Sequence, residues 1–176
     1  MSDFQKIEVI GPLDFDENGN LTVIVQYNSS VPNSTGLGLN IHYDSESMTL
    51  LEETALVTND NLVNGVVESD VENLDGDNAT NNLISYGWAS MTGTWPGFTV
   101  ADLVTLTFSK NEGPLAKENY EINLSTSSTP AGYEVTLENY PPAPLIVTPI
   151  ATDENSGEGQ VIATVDGGPR NATYTL

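Results

Sequence analysis

The sequence predicts an all-β sandwich, and three observations carry that expectation. Short β-branched and aromatic runs recur along the chain between clusters of Gly, Asn, Asp and Pro, and helical periodicity is scarce. Several of these runs alternate apolar and polar residues with a period of two, the mark of a strand with one buried side. With 176 residues the chain can hold one sizeable core, or one domain and a fragment of another.

Taken in order, residues 6–10 predict a first strand, and residues 21–27 a second with Leu21, Val23, Val25 and Tyr27 on one face. The turn between them, DFDENGN at 14–20, has two readings. Asp14, Asp16, Asn18 and Gly19 match the opening of an EF-hand loop, but Val25 stands where the closing Glu belongs, and an Asn-Gly hairpin turn is the simpler expectation. A polar loop at 28–36 leads to a strand that places Leu37, Leu39, Ile41 and Tyr43 inward and Asn40 and His42 outward. His42 is the only histidine, and without a cysteine or a recognisable serine motif it reads as an exposed strand residue. DSES at 44–47 breaks this strand and residues 48–51 resume it, followed by a looser segment at 55–69 with Val66 and Val67 as its expected buried anchors. Ile84, Tyr86 and Trp88 share the next inward face. Then come Val104, Leu106 and Phe108, then Tyr120, Ile122 and Leu124, and finally Tyr133, Val135 and Leu137. Trp95, before Pro96 and Gly97, either pins its loop by packing or offers a ring on which a sugar could stack.

The formal charge is −21, from 25 acidic residues against Lys6, Lys110, Lys117 and Arg170. A phosphate backbone or an anionic membrane surface repels such a chain, which excludes nucleic-acid binding as an expectation. With no cysteine there is no disulfide framework, thiolate metal site or cysteine nucleophile. No apolar run of about 18 residues predicts insertion into a membrane, and no basic, apolar leader precedes Asp3. Carboxylates are plentiful, but no pair falls in a cleft motif, so no enzymatic activity is expected.

One stretch, DVENLDGDNATNN at 70–82, concentrates the acidity between two strand-like runs, and no Lys or Arg lies between Lys6 and Lys110 to neutralise it. Calcium takes six to eight oxygens from carboxylates, amides and backbone, which is the set this loop offers, and Gly76 permits a tight turn. The candidate ligands are Asp70, Glu72, Asn73, Asp75, Asp77 and Asn81. The alternative is a solvated acidic surface loop. At 140–144, YPPAP forms a stiff linker, dividing a sandwich at 1–140 from a tail at 141–176. The tail holds three strand-like runs, LIVTPI, QVIATV and ATYTL, too few residues for a core of their own. It is expected to dock on the sandwich, pair with a neighbouring chain, or begin a further domain.

GLGLNIHYDSESMTLLEE at 36–53, LISYGW at 83–88 and DLVTLTF at 102–108 resemble the cohesin-type β-sandwich, a jelly roll of about nine to ten strands. More closely, TGLGLNIHYDS, DVENLDGDNATNN and SYGWASMTGTWPG, in that order, resemble a cohesin-like, split-type domain of very large calcium-dependent bacterial adhesins of the RTX type, over residues 6–138. The resemblance implies type I secretion, folding on meeting extracellular calcium, and a role at the cell surface in adhesion and biofilm formation beside neighbouring adhesin domains. Asp70, Asn73, Asp75, Asp77 and Asn81 match the acidic loop of that family, with Asn73 and Asn81 standing where Asp is expected. A cohesin-type module would instead capture a protein partner such as a dockerin through one sheet face, or bind a glycan through the Trp95 loop. ATDENSGEGQVIATV at 151–165 resembles the opening of a cadherin-like repeat, in which Glu154 beside Asn155 would reach calcium at a domain junction.

Overall fold

A computed structural model describes residues 4–12, 14–57, 61–112, 120–129, 135–140, 146–150 and 162–166. The chain divides into two units, Met1–Tyr140 and Pro141–Leu176. The first is an all-β sandwich of two sheets. One sheet has the order β11-β1-β2-β9-β5, with β1 at Gln5–Ile10, β2 at Asn20–Ser29, β5 at Met48–Ala55, β9 at Val100–Lys110 and β11 at Val135–Glu138. The other has the order β10-β4-β7-β6, with β4 at Gly36–Tyr43, β6 at Asn61–Ser69, β7 at Asn82–Ala89 and β10 at Ile122–Ser128. Two short strands, β3 at Asn33–Ser34 and β8 at Trp95–Pro96, pair across the rim. In the second unit β12, at Ile146–Ile150, pairs antiparallel with β13, at Ile162–Asp166.

Alternation builds the core. Leu21, Val23, Val25 and Tyr27 of β2 and Val104, Leu106 and Phe108 of β9 are fully buried on the five-stranded side, facing Leu39, Ile41, Ile84, Tyr86 and Trp88 from the four-stranded side. Burying each such side chain contributes roughly 1.5–3 kcal/mol. An aromatic contact ties the layers together, with Tyr43 of β4 5.2 Å from Phe108 of β9, and within β7 Trp88 stacks on Tyr86 at 5.4 Å. A bulge where Val25 and Gln26 face Val104 and Asp102 adds Leu103, so that Leu103 and Val104 are both buried. β1 is antiparallel to β2 and parallel to β11, in the register Gln5↔Val135 to Glu8↔Glu138. Buried Lys6 joins that pair, with its Nζ in contact with Glu8 and 2.6 Å from Glu138.

Three expectations change, and one open choice is decided. Residues 44–47 do not interrupt one strand but carry the chain from one sheet to the other: Met48 opens β5, which pairs with β9. The turn is set by Asp44, whose backbone oxygen accepts from Ser47 and Met48 and whose carboxylate accepts from the Glu46 amide and the Ser47 hydroxyl. Val66 and Val67 are 48% and 47% exposed, because β6 is an edge strand with two register shifts against β7 and is covered on one flank only. Trp95 is 1% exposed, its ring 5.1 Å from Tyr27 and 5.8 Å from Trp88, and a cis peptide bond joins it to Pro96. Packed there, it has no free face for a sugar, which removes the glycan reading of that loop. His42 is fully buried.

The turn at 14–20 closes on itself: the Asp16 carboxylate accepts from the Asn18 and Asn20 amides, and Gly19 has a φ of 75°. Those hydrogen bonds, led by the one from Asn20, hold the Asp16 carboxyl below its ordinary range. Tyr133, Glu154, Asn155 and the ATYTL run lie outside the described residues.

Candidate metal centre and the outer face of the four-stranded sheet

The acidic stretch forms the connection between antiparallel β6 and β7, and it folds back over the outer face of its own sheet. Its base is closed by the Asp70 amide donating to the Asn81 carbonyl at 2.9 Å. Two left-handed residues turn it: Asn73 at φ 53° and Gly76 at φ 79°, where glycine meets no steric cost. The carboxylates serve as internal caps, as Asx turns do. Asp70 accepts from the Leu74 amide, Asp75 from the Asp77 amide at 3.1 Å, and Asp77 from the Ala79 amide at 2.8 Å.

Beneath the loop run β4 and β10, whose outward residues receive it. The Asp70 Oδ2 lies 2.9 Å from Nδ1 of His42, and Nε2 of His42 lies 2.7 Å from Oγ of Ser125. The Asn123 amide donates to Asp75 at 3.0 Å and to Asp77 at 3.2 Å, bringing those two carboxylates to one nitrogen. Thr80 donates to Asp75 at 2.5 Å. Further along the face, the Asn40 amide reaches Ser125 Oγ at 3.3 Å and its oxygen accepts from Ser85 at 3.0 Å. The network therefore spans β10, β4 and β7 and explains why His42 and Asn40 are buried although they point away from the core. Burial works to raise the Asp75 carboxyl, but hydrogen bonds from Thr80, Asp77 and Asn123 and the nearby His42 outweigh it, holding the group below its ordinary range.

Of the six candidate ligands, the loop gathers Asp70, Asp75 and Asp77. Ligand atoms of His42, Asp70 and Asp75 lie within 4.8 Å of one another. Asn73 donates to Asn78 at 3.3 Å while its own Oδ1 is buried without a hydrogen-bond partner among the described residues. Glu72 is exposed and stands apart from that group, and the Asn81 oxygen accepts from the Ser45 amide at 2.9 Å instead. The oxygens fit a hard divalent cation: each carboxylate has about four acceptor positions, which the internal donors do not exhaust, and Asn73 Oδ1 is an oxygen without a donor among the described residues. The imidazole of His42 does not suit calcium, whereas the carboxylates of Asp75 and Asp77, drawn to one nitrogen of Asn123, are of the kind that would hold the ion. Sequence reasoning missed His42, Ser125 and Asn123; the one signal present was that His42 and Asn40 share the outward face of β4.

Beside Asn40 this face opens into a groove of about 510 Å³, lined among others by Gly36, Gly38, Val63, Leu74 and Ser127. Gly38 lets the end of β10 approach closely, since a Cβ there would meet Ser127 Oγ at 2.3 Å. No protein-family model matches the chain, and no curated protein matches it. Solved structures do. The chain is similar to the third cohesin ScaC of Acetivibrio cellulolyticus, solved in complex with the ScaB dockerin: 15% identity, a TM-score of 0.52, covering 77% of this chain and 95% of that one. It is also similar to a chain of the complex of CaDoc0917 with CaCohA2, the latter from Clostridium acetobutylicum, at 19% identity, a TM-score of 0.50 and the same coverage. The fold is that of a cohesin-like jelly-roll β-sandwich.

Proposed function

We propose that the chain is a protein-interaction module of a large bacterial surface adhesin, with calcium held by the β6–β7 loop. The observation that carries the interaction reading is a sandwich alike over 77% of the chain to a cohesin solved together with its dockerin. Half-exposed apolar side chains on two of the edge strands, Leu51 on β5 and Val66 and Val67 on β6, give a protein partner something to cover. Pull-down of candidate partner domains, dockerins first and then neighbouring adhesin domains, tests it; a panel that binds none of them removes the reading.

The calcium reading rests on Asp75 and Asp77, in a loop with no cationic side chain in its sequence neighbourhood. Bound there, the ion would offset the repulsion among the carboxylates and stiffen the loop on the sheet. With a Kd in the extracellular range, millimolar calcium adds about 1 kcal/mol. The melting temperature in calcium should exceed that in EDTA by about 3 °C, and Asp75→Asn with Asp77→Asn should abolish the difference. An identical melt in calcium and EDTA overturns it. The acidic, cysteine-free composition and the order of motifs over residues 6–138 support the placement at the cell surface.

A further inference from the structure

The geometry points to Ser125 as an activated nucleophile in a Ser125–His42–Asp70 triad, able to take an acyl group from an uncharged or cationic ester. The three side chains come from β10, β4 and the β6–β7 loop, separated by 83 and 28 positions in sequence. The Asp70 carboxylate, 1% exposed, accepts at 2.9 Å from Nδ1 of a histidine with no exposed surface. A neutral imidazole has one donor and one acceptor nitrogen, so an Nδ1–H held by Asp70 leaves Nε2 as the acceptor facing the Ser125 hydroxyl at 2.7 Å. That is the order of roles acyl transfer requires: an orienting carboxylate, a base in one tautomer, and a hydroxyl within reach of it.

The surroundings supply the remaining parts. Ser125 is only half-buried. The Asn40 amide donates one N–H to Ser125 Oγ at 3.3 Å and keeps a second N–H for charge developing on a carbonyl oxygen bound beside Ser125. Asn40 is itself fixed by Ser85 and lines the groove, whose size suits a small ligand. The bulge after Thr126 leaves Ser127 out of the ladder with β4, at the wall of the same groove. A chain of charge −21 repels anions, which selects neutral or cationic esters.

The chemistry balances with water as the second reactant. Ser125 Oγ bonds to the ester carbonyl carbon as its proton passes to His42 Nε2. The bond from that carbon to the alcohol oxygen then breaks, and the alcohol leaves with the proton from His42. Water attacks the acyl-serine, giving its proton to Nε2, and the acid departs as that proton returns to Ser125.

The test uses the full chain and a fluorophosphonate probe, read by intact mass and peptide mapping, in calcium and in EDTA. One adduct per chain is expected, on Ser125, absent in Ser125→Ala, which removes one half-buried hydroxyl. Base catalysis of this kind is worth about 10²–10⁴-fold, so His42→Gln and Asp70→Asn should slow labelling within that range while circular dichroism shows a folded sandwich. If His42→Gln does not fold, Asp70→Asn carries the comparison. No adduct on Ser125 in the folded chain, or an adduct forming at the same rate in the folded Asp70→Asn variant, overturns the triad. Neither result bears on whether calcium raises the melting temperature.

Discussion

Along β4, Leu37, Leu39, Ile41 and Tyr43 point into the sandwich while Asn40 and His42 point out of it, yet all six are at most 7% exposed. The inner set is covered by the opposite sheet, through apolar packing. The outer set is covered by a loop that belongs to its own sheet, through hydrogen bonds among Asp70, Asp75, Asn123 and Ser125. Apolar packing tolerates small adjustments at a cost spread over many contacts, whereas each member of a polar network that loses its partner bears the full desolvation of its group. The two faces should therefore fail differently.

The largest effect is expected on the inner face. Ile41→Ala should cost about 2–5 kcal/mol, measured as a fall in the denaturant midpoint, since the cavity it leaves is walled by both sheets. The inner face should also fail in alkali. Burial pushes the Tyr86 hydroxyl well above its ordinary range, and the Glu53 carboxylate that accepts its proton adds to the shift. A raised phenol stabilises the fold fully below about pH 10 and loses that contribution as the pH rises further. Melting temperature should fall above that point, and Tyr86→Phe should flatten the alkaline limb.

On the outer face, His42→Ala should cost about 1–3 kcal/mol by stripping a buried carboxylate of its partner. Combined with Asp70→Ala, the loss should be smaller than the sum of the single losses, as a double-mutant cycle would show. Additive losses would mean that the network is a set of unrelated contacts, and would erase the contrast between the faces. The smallest effect is expected at the open edge: Val67→Thr, half-exposed on β6, should move stability by less than about 0.5 kcal/mol.

The same contrast marks what could be read from the sequence. The period of two at 21–27, 37–43, 84–88 and 104–108 gave every inner-face residue there, because alternation reports which side of a strand is apolar. It cannot report what lies above the polar side. His42 meets Asp70 and Ser125 only after β4, β7 and β10 have paired in register, so no local pattern encodes its burial. Val66 and Val67 failed for the converse reason: β-branched residues favour a strand, but their burial depends on the strand's place in the sheet, and β6 fell at the edge. The acidic loop was legible as a concentration of carboxylates. Its internal caps were not, nor was the diversion of Asn81 to the Ser45 amide.

β1 and β11 lie side by side and run the same way, locked by Lys6 to Glu138. A tensile load entering the chain before Gln5 and leaving after Glu138 would drag these strands in opposite directions along their common axis. All their bridging hydrogen bonds would then be strained together in shear, instead of opening one after another like a zip. A link with its two attachment points arranged in this way resists pulling through geometry, whatever its equilibrium stability.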